Sequence, residues 1–305
     1  MISTLWNQSR ILTATAAVMC LAFVLSLAGL LIDPRIISGA PAWMKPAKFA
    51  LSSAIFAASI AWLFQYLPSF RKTARWIGPA LALILVLEVG IIDFQAVRGT
   101  TSHFNVSTAE NSLMYAVMGI SIGILWLLSI WLLIALCKQT FQDPAWGWAL
   151  RLGMLISVLG SASGGLMTMP TSEQRAAMHR HERPTAVGGH TVGAPDGGPG
   201  IVAVGWSKEH GDIRIPHFLG LHALQLVPLL VWWRGRKRNR RFVFAISGSY
   251  LALYFILLWQ ALRGESIIEP SSLTLGVLAL WLIATVIDLN PFERGSYHME
   301  AVHER

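Results

Sequence analysis

The sequence predicts an all-α protein, a polytopic transmembrane helical bundle of about eight spans with a long outward loop between the fifth and sixth. Hydrophobic residues make up 54% of the 305 and charged residues only 13%, whereas a water-soluble globular chain carries about a quarter charged residues. Mean hydropathy is +0.54. Apolar runs of about 17 to 25 residues recur, each long enough at 1.5 Å per residue to cross a hydrocarbon core about 30 Å thick.

The first run, Ile11 to Ile32, follows Arg10 and looks signal-like. Its apolar stretch is longer than that of a signal peptide and no A-x-A site follows it before Asp33-Pro34, so it is read as a retained helix. The second, Phe49 to Leu67, is entered through "WMKPAKFALS", where Trp43 suits an interface and Pro46 a helix start, with Lys45 and Lys48 above the apolar region. Trp76 to Val97 and Leu113 to Cys137 are the third and fourth, the latter with Gly119 and Gly123 suited to close helix packing. In the fifth, Trp148 to Met169, small residues recur every four positions at Gly153, Ser157, Ser161 and Gly165. The sixth, Pro216 to Trp233, contains Pro228, which frees the Leu224 carbonyl and predicts a kink. Phe242 to Leu262 and Leu273 to Leu289 complete the set, the last being the shortest.

Cationic loops set the orientation. "RGRKRNRR", Arg234 to Arg241, holds six basic residues and no acid, and "RKTAR", Arg71 to Arg75, adds three. Both face the cytoplasm by the positive-inside rule, and an even number of spans separates them, so both termini are expected inside. The net charge of +8 is largely this topology signal. No basic face interleaved with aromatics accompanies it, so the expected partner is the lipid bilayer, with other membrane subunits, and not nucleic acid. Cys20 and Cys137 fall inside spans and imply no disulfide framework.

With that orientation every histidine before the C-terminal tail lies in or beside an outward region: His103, His179, His181, His190, His210, His217 and His222. Any chemistry is therefore expected at the periplasmic face. The outward loop, residues 170 to 215, divides into polar "TSEQRAAMHRHERPTAV" and "GGHTVGAPDGGPG", whose glycines and prolines fit either a linker or a segment that packs closely. The apolar "IVAVGW" after it is able to fold back, which would make the loop a lid.

Acids inside spans are the next signal. An ionised carboxylate at bilayer depth costs about 2.5 to 3.5 kcal/mol, so Glu88 and Asp93 need compensation. At about 100° per residue, Glu88 and Gln95 lie within about 20° on one stripe while Asp93 points well away. The stripe is expected to face the interior, with hydrogen-bonded packing glue as the plainer reading. Lys45, Lys48 and Arg98 are candidates for holding an anion, against ordinary interfacial anchoring. In "IPHFLGLHALQ", His217 and His222 are about 140° apart and cannot share one narrow face, whereas His222 and Gln225, about 60° apart, form an inward pair.

"WMKPAKFALS", "QAVRGTTSHFN", "GGHTVGAPDGGPG" and "IPHFLGLHALQ" together resemble segments of a group of bacterial multi-pass inner-membrane proteins. The resemblance covers the chain up to about Trp233 and implies a bacterial cytoplasmic membrane setting, without residue roles. Three functional expectations follow from the residues themselves. The first is a b-type haem or similar redox site, with His222 opposite His217 or His103, Gln225 beside it, and Lys45, Lys48 or Arg98 on the propionates. Absence of C-x-x-C-H excludes covalent haem attachment. The second is a metal-dependent enzyme acting on a lipid-type substrate, with ligands such as zinc would take from His103, His190, His210, His217 and His222, and Asp93 or Glu88 as base. The third is a transporter, receptor or accessory subunit in which Glu88, Asp93 and the histidines relay protons or bind a ligand.

Overall fold

A computed structural model describes residues 2–202, 204–235 and 238–289. It is all-α, with eight helices long and apolar enough to cross a membrane. Arg236 and Lys237 of the cationic segment, and the C-terminal end from Asn290, lie outside the described residues.

Each expected span is a helix. They are α2 (Arg10–Ile32), α3 (Met44–Leu63), α4 (Arg71–Val97), α5 (Ala109–Lys138), α6 (Pro144–Ser163), α8 (Arg214–Trp233), α9 (Arg240–Leu262) and α10 (Ser272–Leu289). Most begin a few residues before the apolar run; polar side chains cap some of them, while α3, α4 and α8 start without a side-chain cap. Ser9, Asp143 and Asn239 accept from the backbone N–H of Leu12, Trp146 and Phe242 at 3.3, 3.0 and 2.9 Å, satisfying N–H groups that a helix start leaves open. Asp143 also pairs with Arg238 at 2.7 Å. Asp143→Ala is expected to lower stability by about 1 kcal/mol, read in denaturant unfolding, chiefly through the lost cap.

Two short helices have no apolar run to announce them. α1 (Ile2–Gln8) precedes α2, and α7 (Ser172–His179) lies in the long loop. Thr171 and Gln174 close a capping box around the start of α7, each side chain bonded to the other's backbone N–H. Two antiparallel strand pairs complete the fold, β1 (Ile36–Ile37) with β2 (Ala40–Pro41) and β3 (Thr191–Val192) with β4 (Gly211–Asp212).

The chain divides into two compact units. The first comprises the described residues of Met1–Ala135, Gly165–His190 and Pro195–Trp206; the second those of Leu136–Gly164, Thr191–Ala194 and Ser207–Arg305. In the first unit α2, α3 and α4 pack together around Met19, Ala50, Ala54 and Val89. The face that α3 buries is rich in small residues, Ala47, Ala50, Ala54, Ala57 and Ala61, which let backbones approach, with Ile60 and Leu63 buried beside them. The end of α2, the start of α3 and the end of α4 meet at Asp33. Its carboxylate accepts from the Arg35 guanidinium and from Trp43 Nε1 at 2.8 Å, while Arg35 Nη1 donates to the Val97 carbonyl at 3.0 Å. The Arg35 hydrogen bonds hold the Asp33 carboxyl well below the usual carboxylate range.

In the second unit α6, α8 and α9 share a core of Ala149, Ile156, Ala223, Val227, Val231 and Val243. Three small residues of α6 and Gly164 just after it face α8. Cβ atoms at Gly153 and Gly160 would meet α8 backbone at 2.9 and 2.5 Å, Ser157 Oγ donates to the Leu221 carbonyl at 3.1 Å, and a Cβ at Gly164 would meet the His217 ring at 2.9 Å. The expected every-four spacing through Ser161 and Gly165 is corrected to 153, 157, 160 and 164. A helix has 3.6 residues per turn, so a strict step of four drifts about 40° each time and leaves the contact; Gly165 has no atom within 4 Å of its missing Cβ. Gly119 and Gly123 of α5, expected to pack closely, are likewise exposed with no atom within 4 Å of that position.

Candidate functional site

The most concentrated polar chemistry lies in the first unit and begins with Glu88. This residue is 2% exposed, on the α4 face that also buries Ile92 and Gln95 as the helical stripe requires. Neither carboxylate oxygen has a hydrogen-bond partner among the described residues. Its charged neighbour is Lys45, in the first turn of α3. Helical rotation turns Asp93 away from Glu88, and one oxygen of Asp93 is also buried without a hydrogen-bond partner.

From Lys45 the cluster continues outward. The ammonium lies 5.9 Å from the Phe49 ring, and that ring packs 5.2 Å from His103. His103 is half-buried in the loop after α4, its Nδ1 3.1 Å from Ser102 Oγ. Phe104 follows it with φ 64°, a left-handed conformation that costs a bulky residue free energy and persists only where surroundings impose it. Those surroundings are visible. The Phe104 carbonyl accepts from Val187 N–H at 2.8 Å, and its ring packs against His103, Tyr115 and His190 at 6.1, 5.9 and 5.4 Å. His190 Nδ1 lies 2.9 Å from Asp196 Oδ2, and the same carboxylate accepts from His190 N–H. Both of these side chains are about one-quarter exposed, so the cluster runs from the surface to Glu88.

Burial, with Lys45 and His190 nearby, pushes the His103 imidazole well below its ordinary proton affinity. A group depressed in this way contributes stability above the unfolded value near pH 6.5, and that contribution is lost as pH falls, by about 1.4 kcal/mol per unit for one proton. Melting temperature is therefore expected to drop between pH 7 and 5. The drop should be shallower in His103→Gln, which differential scanning fluorimetry of the two proteins compares directly.

The loop is packed, not a free linker. Lys48 Nζ donates to the Val204 carbonyl at 2.8 Å, Gln174 Nε2 to Gly188 O at 2.9 Å, and Gly189 N–H to Met167 O at 2.8 Å. At Gly188, with φ 103°, a Cβ would strike Met167 O at 2.5 Å and the Phe104 ring at 2.7 Å. The neighbouring loop is knitted separately. Arg98 pairs with Glu110 at 3.0 Å and donates to Gln95 Oε1 at 3.0 Å, while Gln95 Nε2 donates to Asn111 at 2.9 Å. Lys48 and Arg98 therefore act as fasteners here, and Lys45 is the cation that faces the acid.

The other predicted residues belong to the second unit. Where α6 tightens at Gly164, the Gly164 N–H turns to Ala162 and Ser161 and releases the Gly160 carbonyl. His217 Nδ1 and Ser163 Oγ take up that carbonyl at 2.7 Å each. His222 packs against Phe218 at 4.3 Å and shares a hydrogen bond with Gln225, the pair expected from their angular step. His210 N–H donates to Ser207 Oγ at 3.0 Å. Among the described residues no three His, Cys, Asp or Glu side chains gather to hold a metal ion. Phe49, Phe104 and Asp196 were not singled out from sequence; the one available signal was an Asp six residues after His190 within a turn-forming Gly-Pro stretch. No protein-family model, curated protein or solved structure matches the chain.

Proposed function

We propose that this chain is a bacterial inner-membrane protein of the proton-coupled transport class, with both termini cytoplasmic and protons handled through the first unit. The observation that carries this reading is Glu88, a carboxylate buried in a membrane-length helix with no hydrogen bond to either oxygen. Such a group is costly unless a proton or a cation compensates it. Lys45 supplies the alternative countercharge, so proton uptake by Glu88 would release Lys45, and proton loss would recapture it. His190 and Asp196 form the exposed end. A neutral imidazole at His103 accepts a proton on one nitrogen and releases one from the other, and its weak proton affinity keeps it a transient carrier.

The test is reconstitution of the purified chain in liposomes holding a pH-sensitive dye, with an acid-outside gradient. His103→Ala is expected to slow dye acidification about a hundredfold, within what a positioned acid–base group contributes to proton transfer. A wild-type rate equal to that of empty liposomes would overturn the reading. One observation favours the redox alternative: with His217 Nδ1–H held by the Gly160 carbonyl, Nε2 keeps its lone pair, the arrangement that ligand imidazoles use. A dithionite-reduced spectrum with Soret and α bands, lost in His217→Ala, would establish it.

A further inference from the structure

Where the C-terminal end of α9 meets β4 and the start of α8, the second unit has a small, partly open cavity of about 10 Å³, room for the centre of one water-sized species. Its lining includes Asp212, Ile215, Gln260, Ala261, Glu265 and Ile267. Gln260 is 2% exposed; its Nε2 donates to the Ser266 carbonyl at 2.8 Å, which fixes the amide and leaves Oε1 buried with no hydrogen-bond partner. An orphan acceptor of this kind is uncommon and calls for a donor or a cation.

The remaining polar lining is oxygen. Asp212 is buried, its oxygens accepting Ser207 N–H at 2.8 Å, Arg214 N–H at 3.0 Å and the Arg214 guanidinium. Glu265 accepts from Ser271 N–H and from Thr274 Oγ1 at 2.7 Å, and Arg263 Nη1 stands 3.8 Å away. Carboxylate oxygens have lone pairs beyond these bonds. Gln260 and Ala261 also belong to the last turn of α9, where the aligned peptide dipoles present partial negative charge. Arg214 and Arg263 already balance the two carboxylates, which argues against a divalent ion, whose sites collect more acids and more oxygens.

We propose that this cavity binds one monovalent cation, with Gln260 Oε1, the carboxylates and the end of α9 as its oxygen donors. Helix C-terminal ends and unwound carbonyls hold sodium in other membrane proteins, and the site stands independently of the proton path in the first unit.

The full chain in detergent would be titrated with NaCl, holding ionic strength with choline chloride, while thermal unfolding is followed. A saturable rise in melting temperature with sodium and not with choline is expected, together with about one ²²Na⁺ bound per chain by equilibrium dialysis. Gln260→Leu should abolish both signals, and Glu265→Gln should weaken sodium binding about tenfold by removing one countercharge. Equal responses to sodium and choline with no bound ²²Na⁺ in the wild type would overturn the proposal, the cavity then holding water alone.

Discussion

Glu88→Gln is expected to cut dye acidification in liposomes about a hundredfold while the protein folds about as well as the wild type. The two effects separate a proton site from packing glue. Glutamine matches glutamate in shape and still hydrogen-bonds, so a residue that merely joins helices would tolerate the exchange without change in flux. It has no titratable proton, so a relay that ends on Glu88 stops. On stability, an ionised carboxylate at bilayer depth costs about 2.5 to 3.5 kcal/mol, and neither oxygen of Glu88 recovers any of this through hydrogen bonds. Removing that cost offsets the loss of the countercharge to Lys45, so unfolding resistance is expected to stay close to that of the wild type. Glu88→Gln with unchanged flux, measured beside an active wild type, would move the proton acceptor elsewhere in the cluster. Lys45→Met is the complementary variant. It leaves Glu88 without its neighbouring cation, so the proton should be held more tightly and turnover slowed instead of abolished.

The spans were legible because membrane length and apolar composition are local properties, and all eight helices lie where hydropathy places them. Their first turns were not. Ser9, Asp143 and Asn239 add polar residues to helices that hydropathy starts later, and the capping residues, visible in the sequence, give the correction. α7 shows the same limit, since its Thr171 to Gln174 capping box is a readable signal but its composition is that of a loop.

The candidate site was half legible. Rotation about α4 correctly puts Glu88 and Gln95 on one buried stripe, because angular position depends only on residue count. Which cation faces Glu88 depends on how α3 packs on α4, and no periodicity distinguishes Lys45 from Lys48 or Arg98. The positive φ of Phe104 and the approach of its ring to His190 arise where two loops far apart in sequence meet, through Val106 to Thr185 and Val187 to Phe104 backbone bonds. Gly119 and Gly123 mislead for a related reason. Spacing identifies residues able to pack closely, but only a neighbouring helix decides whether they do.

The α6 and α8 crossing is where that distinction has its largest energetic effect, and Gly160→Ala is expected to cost about 3 kcal/mol or more. A Cβ on Gly160 would sit 2.5 Å from both Cα and C of Gly220 and 2.7 Å from Leu221 N. These are backbone atoms, so no rotamer change relieves the clash and the helices must move apart. Overpacking of this kind costs about 1 to 3 kcal/mol. Separation also stretches the bonds that cross the seam, from Ser157 Oγ to Leu221 O at 3.1 Å and from His217 Nδ1 to Gly160 O at 2.7 Å. The bonds from Tyr254 to Leu159 O and from Tyr250 to Leu219 O, at 3.0 and 2.6 Å, fasten α9 to the same two helices. Interhelical hydrogen bonds in membranes average about 0.6 kcal/mol each, so losing several adds to the steric penalty. Gly119→Ala is the control: the added methyl meets no atom within 4 Å, and the better helix propensity of alanine should leave stability unchanged or raise it by up to about 1 kcal/mol. Unfolding in sodium dodecyl sulfate, followed by tryptophan fluorescence, compares the three proteins. Equal midpoints for Gly160→Ala and wild type would mean that α6 and α8 are not in backbone contact at Gly160 and Gly220.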